Sequence, residues 1–408
     1  MNSPWSASLV PMTKIQLAAL PLTLTLTWSA TINTGSCQPP GKSAATAGQN
    51  QAIAKSNELS KATDSLNSTI IKTLGTADAA LLKKLNGYED AFCTKSQAPE
   101  PNKILTFQII QQMVAADKAL TGLSAIQRAS IAIDTLANLA SPVQNIGQVG
   151  NTCKFASYEV RIATLTPELY ASLIMQIVLL GKFKCSDGSE IVYPLNSLSN
   201  VETSKYANWA SRIFQVTAAN IGWQSSTERP DKLAAEKGSL HFELVGKNES
   251  LRDYSLDKTR GLAVFSRDGA KVHSPYTNRK QEKLINRLIT GQETITVINE
   301  EWAGHPEPGT FNYSDYAQLQ KFLQFVADGR LPNVHFPLLI SIDGDRLQAQ
   351  GKPVLHNKEG NHLVTIMSYD PKTTKVELNN TWYDDDDFVG DRALTFQQLC
   401  NYLPRPEN

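Results

Sequence analysis

Helical periodicity fills the first half of this 408-residue chain, and strand-like alternation fills most of the second half. Between residues 56 and 140 apolar side chains such as Leu66 and Ile70 recur every three or four positions, which is the spacing of one helix face. After residue 240, short apolar runs such as 336–342 and 362–369 are separated by turn residues, which is typical of strands. Helices followed by strands predict an α+β fold rather than alternating βαβ units.

One cysteine occupies a position at which thiol chemistry is favoured. Cys153 follows a small-residue turn that contains Gly147 and Gly150, and the pattern from Cys153 to about Thr164 predicts a helix. At a helix N-terminus the positive end of the helix dipole lowers the pKa of a thiol, and unpaired backbone N–H groups can hold an oxyanion. We therefore expect Cys153 to be a reactive nucleophile, although a lone cysteine in a turn is more often structural.

A histidine and an asparagine lie where one hairpin would bring them together. His362 opens a predicted strand, and Asn380 follows the next strand, across the turn at 370–373. In an antiparallel hairpin the start of one strand lies beside the end of the other, so Asn380 can orient the ring of His362. Trp382, two residues further on, can shield that hydrogen bond from water.

Taken in order, Gln148, Cys153, His362 and the motif Asn380-x-Trp382 resemble the site residues of papain-superfamily cysteine peptidases. The resemblance implies a papain-like domain of two lobes, a helical lobe with the cysteine and an antiparallel sheet lobe with the histidine and asparagine. It also implies roles: Cys153 as nucleophile, His362 as base and acid, Asn380 as the residue that orients His362, and Gln148 in the oxyanion hole. The implied function is hydrolysis of peptide or isopeptide bonds through an acyl-enzyme intermediate, without a cofactor.

Departures from that pattern keep alternatives open. Gln148 lies one residue closer to the cysteine than the family's glutamine, so Gln144 is a second candidate for the oxyanion hole, and Lys154 replaces the family's aromatic residue. The segment Gly150-Asn-Thr-Cys153 is also similar to the cysteine box of ubiquitin-specific proteases, although their Gly-His-Tyr box is absent from this sequence. The alternatives are a deubiquitinase-like enzyme, an acyl- or amide-transferring thiol enzyme, and a catalytically inactive lipoprotein that serves as a binding or scaffold module.

The N-terminal residues resemble an export signal. After Lys14, the apolar and threonine-rich run 15–28 is too short and too polar for a membrane span, but suits a signal peptide. It is followed by Thr34-Gly-Ser-Cys37, which resembles a bacterial lipobox, so Cys37 is the predicted lipidation site; a cleaved secretory signal is the alternative. The expected location is the bacterial cell envelope, or outside the cell. The predicted organisation is a signal peptide at 1–37, a flexible linker at 38–55, a helical N-terminal region at 56–140 and the papain-like catalytic domain at 141–408.

The helical region 56–140 is open to three interpretations, namely a stalk, an inhibitory pro-segment or a partner surface. Helical stripes are most often simply part of a core. The sequence does not choose between the three.

Composition limits the partners and cofactors. The 39 basic and 39 acidic residues leave no excess positive charge for nucleic acid, so we expect a protein or peptide substrate and membrane attachment only through a lipid on Cys37. No cysteine pair has zinc-ligand spacing, and the run Asp384–Asp387 lacks the spaced ligands of a calcium loop, so we expect a solvated loop there and no metal. Outside the cytoplasm Cys93, Cys185 and Cys400 could include a disulfide pair. The oligomeric state is left open.

Overall fold

The computed structural model is a mixed α+β protein with a helical N-terminal region, as the order of periodicities predicts. It describes residues 44–75, 79–148, 152–199, 207–225, 241–244, 263–267, 270–272, 279–299, 309–348, 361–381 and 387–404. The chain divides into two compact units, residues 1–50 and 51–408, and the architecture below is that of the second unit. Cys37 and Trp382, predicted to carry a lipid and to shield the site, lie outside the described residues.

Helices dominate the chain up to residue 225. The first helix begins at Ala44, so the prediction of a flexible linker over 38–55 is wrong from that residue onward. Three of the first four residues of this helix are alanine, the residue with the highest intrinsic helix propensity. The helices in this part are α1 (Ala44–Leu74), α2 (Ala79–Lys95), α3 (Glu100–Ala115), α4 (Ala125–Ala140), α5 (Pro142–Asn145), α6 (Cys153–Leu165), α7 (Pro167–Leu180), α8 (Asn196–Ser199) and α9 (Trp209–Gln224).

One hydrophobic core joins the N-terminal helices to the helix that carries Cys153. Leu66 of α1, Phe107 of α3 and Leu136 of α4 are buried in the same apolar cluster as Phe155 of α6 and Tyr170 of α7. Burying an apolar side chain of this size stabilises a fold by about 1.5–3 kcal/mol. The residues on either side of position 140 therefore share one core, which we call the helical core.

A six-stranded sheet forms most of the C-terminal part. Its strands are β6 (Thr296–Asn299), β7 (Thr310–Tyr313), β8 (Leu338–Asp343), β9 (Asn361–Asp370), β10 (Lys375–Asn379) and β11 (Leu394–Thr395). Their order in the sheet is β11–β10–β9–β8–β6–β7, and the predicted hairpin of β9 and β10 is confirmed. Earlier in the chain, β1 (Lys182–Lys184) and β2 (Glu190–Val192) form a hairpin, and β3 (His241–Leu244), β4 (Ala263–Arg267) and β5 (Ala270–Val272) form a small sheet. The remaining helices are α10 (Arg279–Thr290), α11 (Tyr316–Ala327), α12 (Gly344–Gln348) and α13 (Phe396–Cys400).

The sheet is mixed. Strand β6 runs parallel to both of its neighbours, β7 and β8, whereas the pairs β8–β9, β9–β10 and β10–β11 are antiparallel. The prediction of an antiparallel sheet is therefore wrong at both pairings of β6. Between β7 and β8 the chain passes through helix α11, the kind of crossover that parallel strands need. The apolar alternation of a single strand carries no information about the direction of its neighbour.

Strand β9 is shared between two cores because its side chains alternate between the faces of the sheet. Leu363 packs into the helical core, whereas Val364 and Ile366 pack with Phe322 of α11 and Leu399 of α13 in a second cluster, which we call the sheet core. The strand that carries His362 thus lies at the junction of the two.

Polar side chains of α6 fix this helix on the sheet. The hydroxyl of Ser157 donates to the carbonyl of Leu363 at 3.0 Å. The buried guanidinium of Arg161 donates to the carbonyl of His335 at 3.0 Å and also to that of Pro337. Burial lowers the pKa of Arg161 to about 10, and such a buried group is tolerated only when hydrogen-bonded. The Cys153 helix is therefore held against the sheet along two of its turns.

Two further expectations concern membranes and disulfides. Within the described ranges, no helix combines the length and the apolar character needed to cross a bilayer. Cys93, Cys185 and Cys400 are all free thiols, so the disulfide considered from the sequence is not formed among them.

Candidate active site

Cys153 is the first residue of helix α6, as its setting in the sequence predicts. The N-cap is Thr152, whose side chain makes no capping hydrogen bond to the helix. Its hydroxyl instead donates to the Oε1 atom of Gln215 at 2.6 Å. The thiol is partly exposed, and it lies at the end of a helix that rests on the strand carrying His362.

The thiol pKa moves in the direction opposite to the sequence prediction. Burial raises the pKa of Cys153 above its ordinary value, and Glu282 raises it further. Hydrogen bonds from the backbone of Leu363 and Lys154, and the Lys154 charge, lower it only in part. Removing water disfavours the charged form of any group, and here that effect exceeds the help from the helix terminus. The resting thiol is therefore protonated at neutral pH.

His362 and Asn380 form the contact that the hairpin predicts. His362 Nε2 lies 2.8 Å from Asn380 Oδ1, and both residues are buried. An amide oxygen can only accept, so Nε2 carries the proton and Nδ1 carries the lone pair. Burial lowers the pKa of His362 to about 4, although the bond to Asn380 opposes this shift. The imidazole is therefore neutral at neutral pH, with its basic nitrogen set by Asn380.

A buried carboxylate that sequence reasoning missed supports Asn380. One oxygen of Asp387 accepts from the backbone N–H of Asn380 at 2.7 Å and from the Nδ2 atom of Asn379 at 2.8 Å. Asp387 is only 6% exposed, so the prediction of a solvated acidic loop is wrong for this residue. The backbone bridge between Leu378 and Phe388 turns Asp387 inward. In the sequence, the signal for this inward turn is the apolar Phe388 directly after the acidic run.

The thiol and the imidazole lie on adjoining elements but do not bond to each other at rest. In the described part of the chain, the hydrogen bonds of the Cys153 thiol are to the backbone of Leu363 and Lys154, and the His362 ring is not among its partners. Leu363 is the residue after His362, so the thiol lies next to the strand position of the histidine. The structure thus brings the helix that begins at Cys153 against the strand that carries His362.

The two glutamines proposed for the oxyanion hole lie in different surroundings. Gln144 is exposed on α5, and its Oε1 atom accepts from the Ser141 hydroxyl at 3.0 Å. The backbone N–H of Gln148 donates to the carbonyl of Thr381 at 2.9 Å, next to Asn380. Only Gln148 is therefore tied to the segment that carries Asn380.

Three buried amide atoms of this region have no partner among the described residues. They are Oε1 of Gln148, Oδ1 of Asn379 and Nδ2 of Asn380. Nearly all buried polar atoms in native proteins are hydrogen-bonded, and exceptions tend to have a functional or structural reason. The unpaired Nδ2 atom belongs to the same amide whose oxygen bonds the His362 ring. No cluster of metal-binding side chains occurs within the described residues.

Comparisons with protein-family models, curated proteins and solved structures found no match for the chain.

Proposed function

We propose that the protein is a thiol hydrolase of papain-like type that cleaves peptide or isopeptide bonds through Cys153, His362 and Asn380. The observation that carries the proposal is the bond between His362 Nε2 and Asn380 Oδ1, on the strand against which the Cys153 helix packs. This bond places the proton on Nε2, so Nδ1 is the basic nitrogen of the ring, and Leu363, a backbone partner of the thiol, adjoins the histidine. In this proposal the helical and sheet cores are the two lobes, and the parallel pairing of β6 with β7 and β8 departs from the antiparallel sheet of the family.

The proposed reaction begins from a neutral pair. As the Cys153 sulfur attacks the substrate carbonyl, the thiol proton passes to Nδ1 of His362, and Asn380 stabilises the imidazolium through its Oδ1 atom. The backbone N–H groups at the start of α6 and the side chain of Gln148 would hold the oxyanion. His362 then donates its proton to the leaving amine, and the thioester is hydrolysed by a water that the neutral imidazole deprotonates.

The test of this proposal is turnover that depends on one thiol. Peptide libraries and isopeptide-linked substrates would be incubated with the wild-type protein and with Cys153→Ala, and the wild type would also be searched by mass spectrometry for a thioester adduct on Cys153. We expect cleavage by the wild type and none by the variant. Cys93→Ala, which removes another partly buried thiol far along the chain, is the matched control and should leave cleavage unchanged. Cleavage that survives Cys153→Ala contradicts the proposal.

A second candidate, a catalytically inactive binding module, is favoured by a specific observation. The Cys153 thiol has a raised pKa and bonds to backbone groups rather than to His362 at rest. A module of this kind would bind a peptide with equal affinity in the wild type and in Cys153→Ala, and would form no thioester. Titration calorimetry with peptides recovered from the library separates it from the hydrolase.

We also propose that the protein is exported and carries a lipid on Cys37. The support is the apolar run 15–28 followed by Thr34-Gly-Ser-Cys37. In bacteria fed a clickable fatty acid, we expect labelling of the wild type and none of Cys37→Ser. Labelling of neither protein would favour the cleaved secretory signal.

A further inference from the structure

A buried amide on helix α9 holds both ends of the segment that precedes the nucleophile. Gln215 is 1% exposed. Its Nε2 atom donates to the carbonyl of Gly147 at 2.9 Å, and its Oε1 atom accepts from the Thr152 hydroxyl at 2.6 Å. Gly147 and Thr152 are the first and last residues of the segment 147–152, which contains Gln148 and ends one residue before Cys153.

The orientation of this amide is fixed by its third partner. The same Nε2 atom also donates to the Oε2 atom of Glu159 at 2.9 Å. If the amide were flipped, its oxygen would face a carbonyl and a carboxylate, and both contacts would be repulsive. Both N–H groups and the oxygen of Gln215 are therefore used, and only one orientation satisfies them.

The carboxylate behind Gln215 is itself held in place. Glu159 lies on α6, and its Oε1 atom accepts from the Tyr170 hydroxyl at 2.8 Å and from the Nδ2 atom of Asn138 at 3.2 Å. These residues are buried, so each bond removed leaves a polar atom without water. The network connects α4, α6, α7 and α9 to the segment 147–152, and it anchors that segment to the helical core.

The same segment is tied to the sheet on its other side. The N–H of Gln148 donates to the carbonyl of Thr381, which follows Asn380. The peptide group that joins Gly147 to Gln148 is therefore held from both halves of the molecule: its carbonyl accepts from Gln215 and its N–H donates to Thr381. A shift at Gly147 would move the Gln148 side chain and the Cys153 helix start relative to His362.

We infer that Gln215 is a positioning residue that sets the place of Cys153 and Gln148 relative to His362 during attack on the substrate. This inference rests on the proposed function. We call the bonds of Gln215 to Gly147 and Thr152 the clamp. A displacement of about 1 Å at a reacting group can lower the rate about 100-fold, so loss of the clamp should act mainly on kcat. In this inference Gln215 acts through Gly147 and Thr152, the residues that it bonds.

The test uses Gln215→Leu and a control on the same helix. Thr217→Val removes a buried hydroxyl that donates to the carbonyl of Ile213 in its own helix, so it matches the burial but not the clamp. We expect Gln215→Leu to lower kcat about 10- to 100-fold with KM changed less than threefold, and Thr217→Val to change neither. Equal kcat in the two variants overturns the inference.

Thr152 provides a milder variant if Gln215→Leu does not fold. Thr152→Val removes the bond to Gln215 Oε1, and Thr152→Ser retains the hydroxyl. We expect kcat to fall in the first and recover in the second. In the double variant with Gln215→Leu, Thr152→Val should have no additional effect, because both changes break the same contact. If instead Thr152→Val and Gln215→Leu lower kcat multiplicatively in the double variant, the two changes act independently and the clamp is contradicted.

A measurement that needs no turnover separates this inference from the hydrolase proposal. Alkylation of Cys153 by iodoacetamide, followed by mass spectrometry of the Cys153 peptide, reports the thiol surroundings directly. Loosening the segment admits water, favours the thiolate and should speed alkylation at least fivefold in Gln215→Leu relative to Thr217→Val. If Gln215→Leu is alkylated faster but the wild type shows no turnover, the clamp is supported and the hydrolase proposal is contradicted. If alkylation of Gln215→Leu is unchanged, the clamp is contradicted.

Discussion

The two halves of the candidate site hold their reactive side chains by different means. His362 lies in strand β9, where pairing with Ile342 of β8 fixes its backbone. On the N-terminal side of Cys153, Gly147 and Thr152 are held by the Gln215 side chain. Sheet pairing uses backbone groups that every substitution except proline retains, whereas a side-chain clamp fails with one substitution. The nucleophile half should therefore be the more sensitive to single changes away from the reacting atoms.

A buried carboxylate supports each half, but at a different distance. Asp387 binds the backbone N–H of Asn380 directly. Glu159 acts on the cysteine segment only through Gln215. The Cys153 side and the His362–Asn380 pair are thus each supported by a buried acidic residue.

The halves also respond to pH in opposite directions. Burial raises the pKa of Glu159 to about 7 from an unfolded value of 4.5, so the folded state binds more protons, and stability is lost as the pH rises from 4.5 through 7. Burial lowers the pKa of His362 to about 4 from 6.5, so the unfolded state binds more protons, and stability is lost as the pH falls from 6.5 to 4. Complete titration of either group changes the free energy of unfolding by on the order of 3 kcal/mol.

The largest expected effect falls on the histidine half. His362→Ala removes the general base and acid, and we expect kcat/KM for peptide cleavage to fall about 10²- to 10⁴-fold. The exposed His335, whose carbonyl rather than ring meets Arg161, supplies the control His335→Asn, for which activity should be unchanged. A fall of less than tenfold in His362→Ala would mean that the base is another residue.

The support of Asn380 gives the next largest effect. Asp387→Ala leaves the buried N–H of Asn380 without its acceptor, so we expect a loss of about 1–3 kcal/mol in stability and about tenfold in kcat. Asp387→Asn keeps an oxygen that can accept from the Asn380 N–H, so its stability and kcat should lie between those of the wild type and Asp387→Ala. Asp370→Ala, which alters the exposed turn at the other end of the same hairpin, should leave kcat unchanged. Equal kcat losses in the Asp370 and Asp387 variants would assign Asp387 to hairpin stability alone.

The pH profile of cleavage tests the state of the histidine. With the His362 pKa at about 4, kcat/KM should be level across neutral pH and fall tenfold for each pH unit below about 4. The measurement is initial rates from pH 3 to 8 with substrate well below KM. An acid limb centred near pH 6.5 would show that His362 is solvated in the active form.

The smallest effect concerns stability on the cysteine half. Glu159→Gln has no carboxyl to titrate, so urea unfolding should show less loss of stability between pH 5 and pH 7.5 than the wild type shows, by up to about 3 kcal/mol. The exposed Glu190, paired with Lys182, provides the control Glu190→Gln, which should follow the wild-type slope. A wild-type slope in Glu159→Gln would place the titration elsewhere, with Glu89 the next candidate because burial raises its pKa to about 7.

Periodicity and turn residues were sufficient to predict the helices around Cys153 and the hairpin around His362. These features are local, and the His362–Asn380 contact follows from the geometry of one hairpin. The clamp could not be predicted, because Gln215 is 63 and 68 positions from the two residues it holds. The raised thiol pKa was missed for the same reason, since desolvation depends on packing that no sequence neighbour reports. The inward turn of Asp387 needed the bridge between Leu378 and Phe388.

The shared helical core has a consequence for maturation. Leu66, Phe107 and Leu136 fill the same interior as Phe155, two residues after the nucleophile. Cutting the chain near residue 140 and releasing the preceding helices would open that interior to water directly beneath Cys153. Removal of the N-terminal helices as an inhibitory pro-segment would thus destroy the site it was meant to release, and any switch on this protein must act with these helices in place.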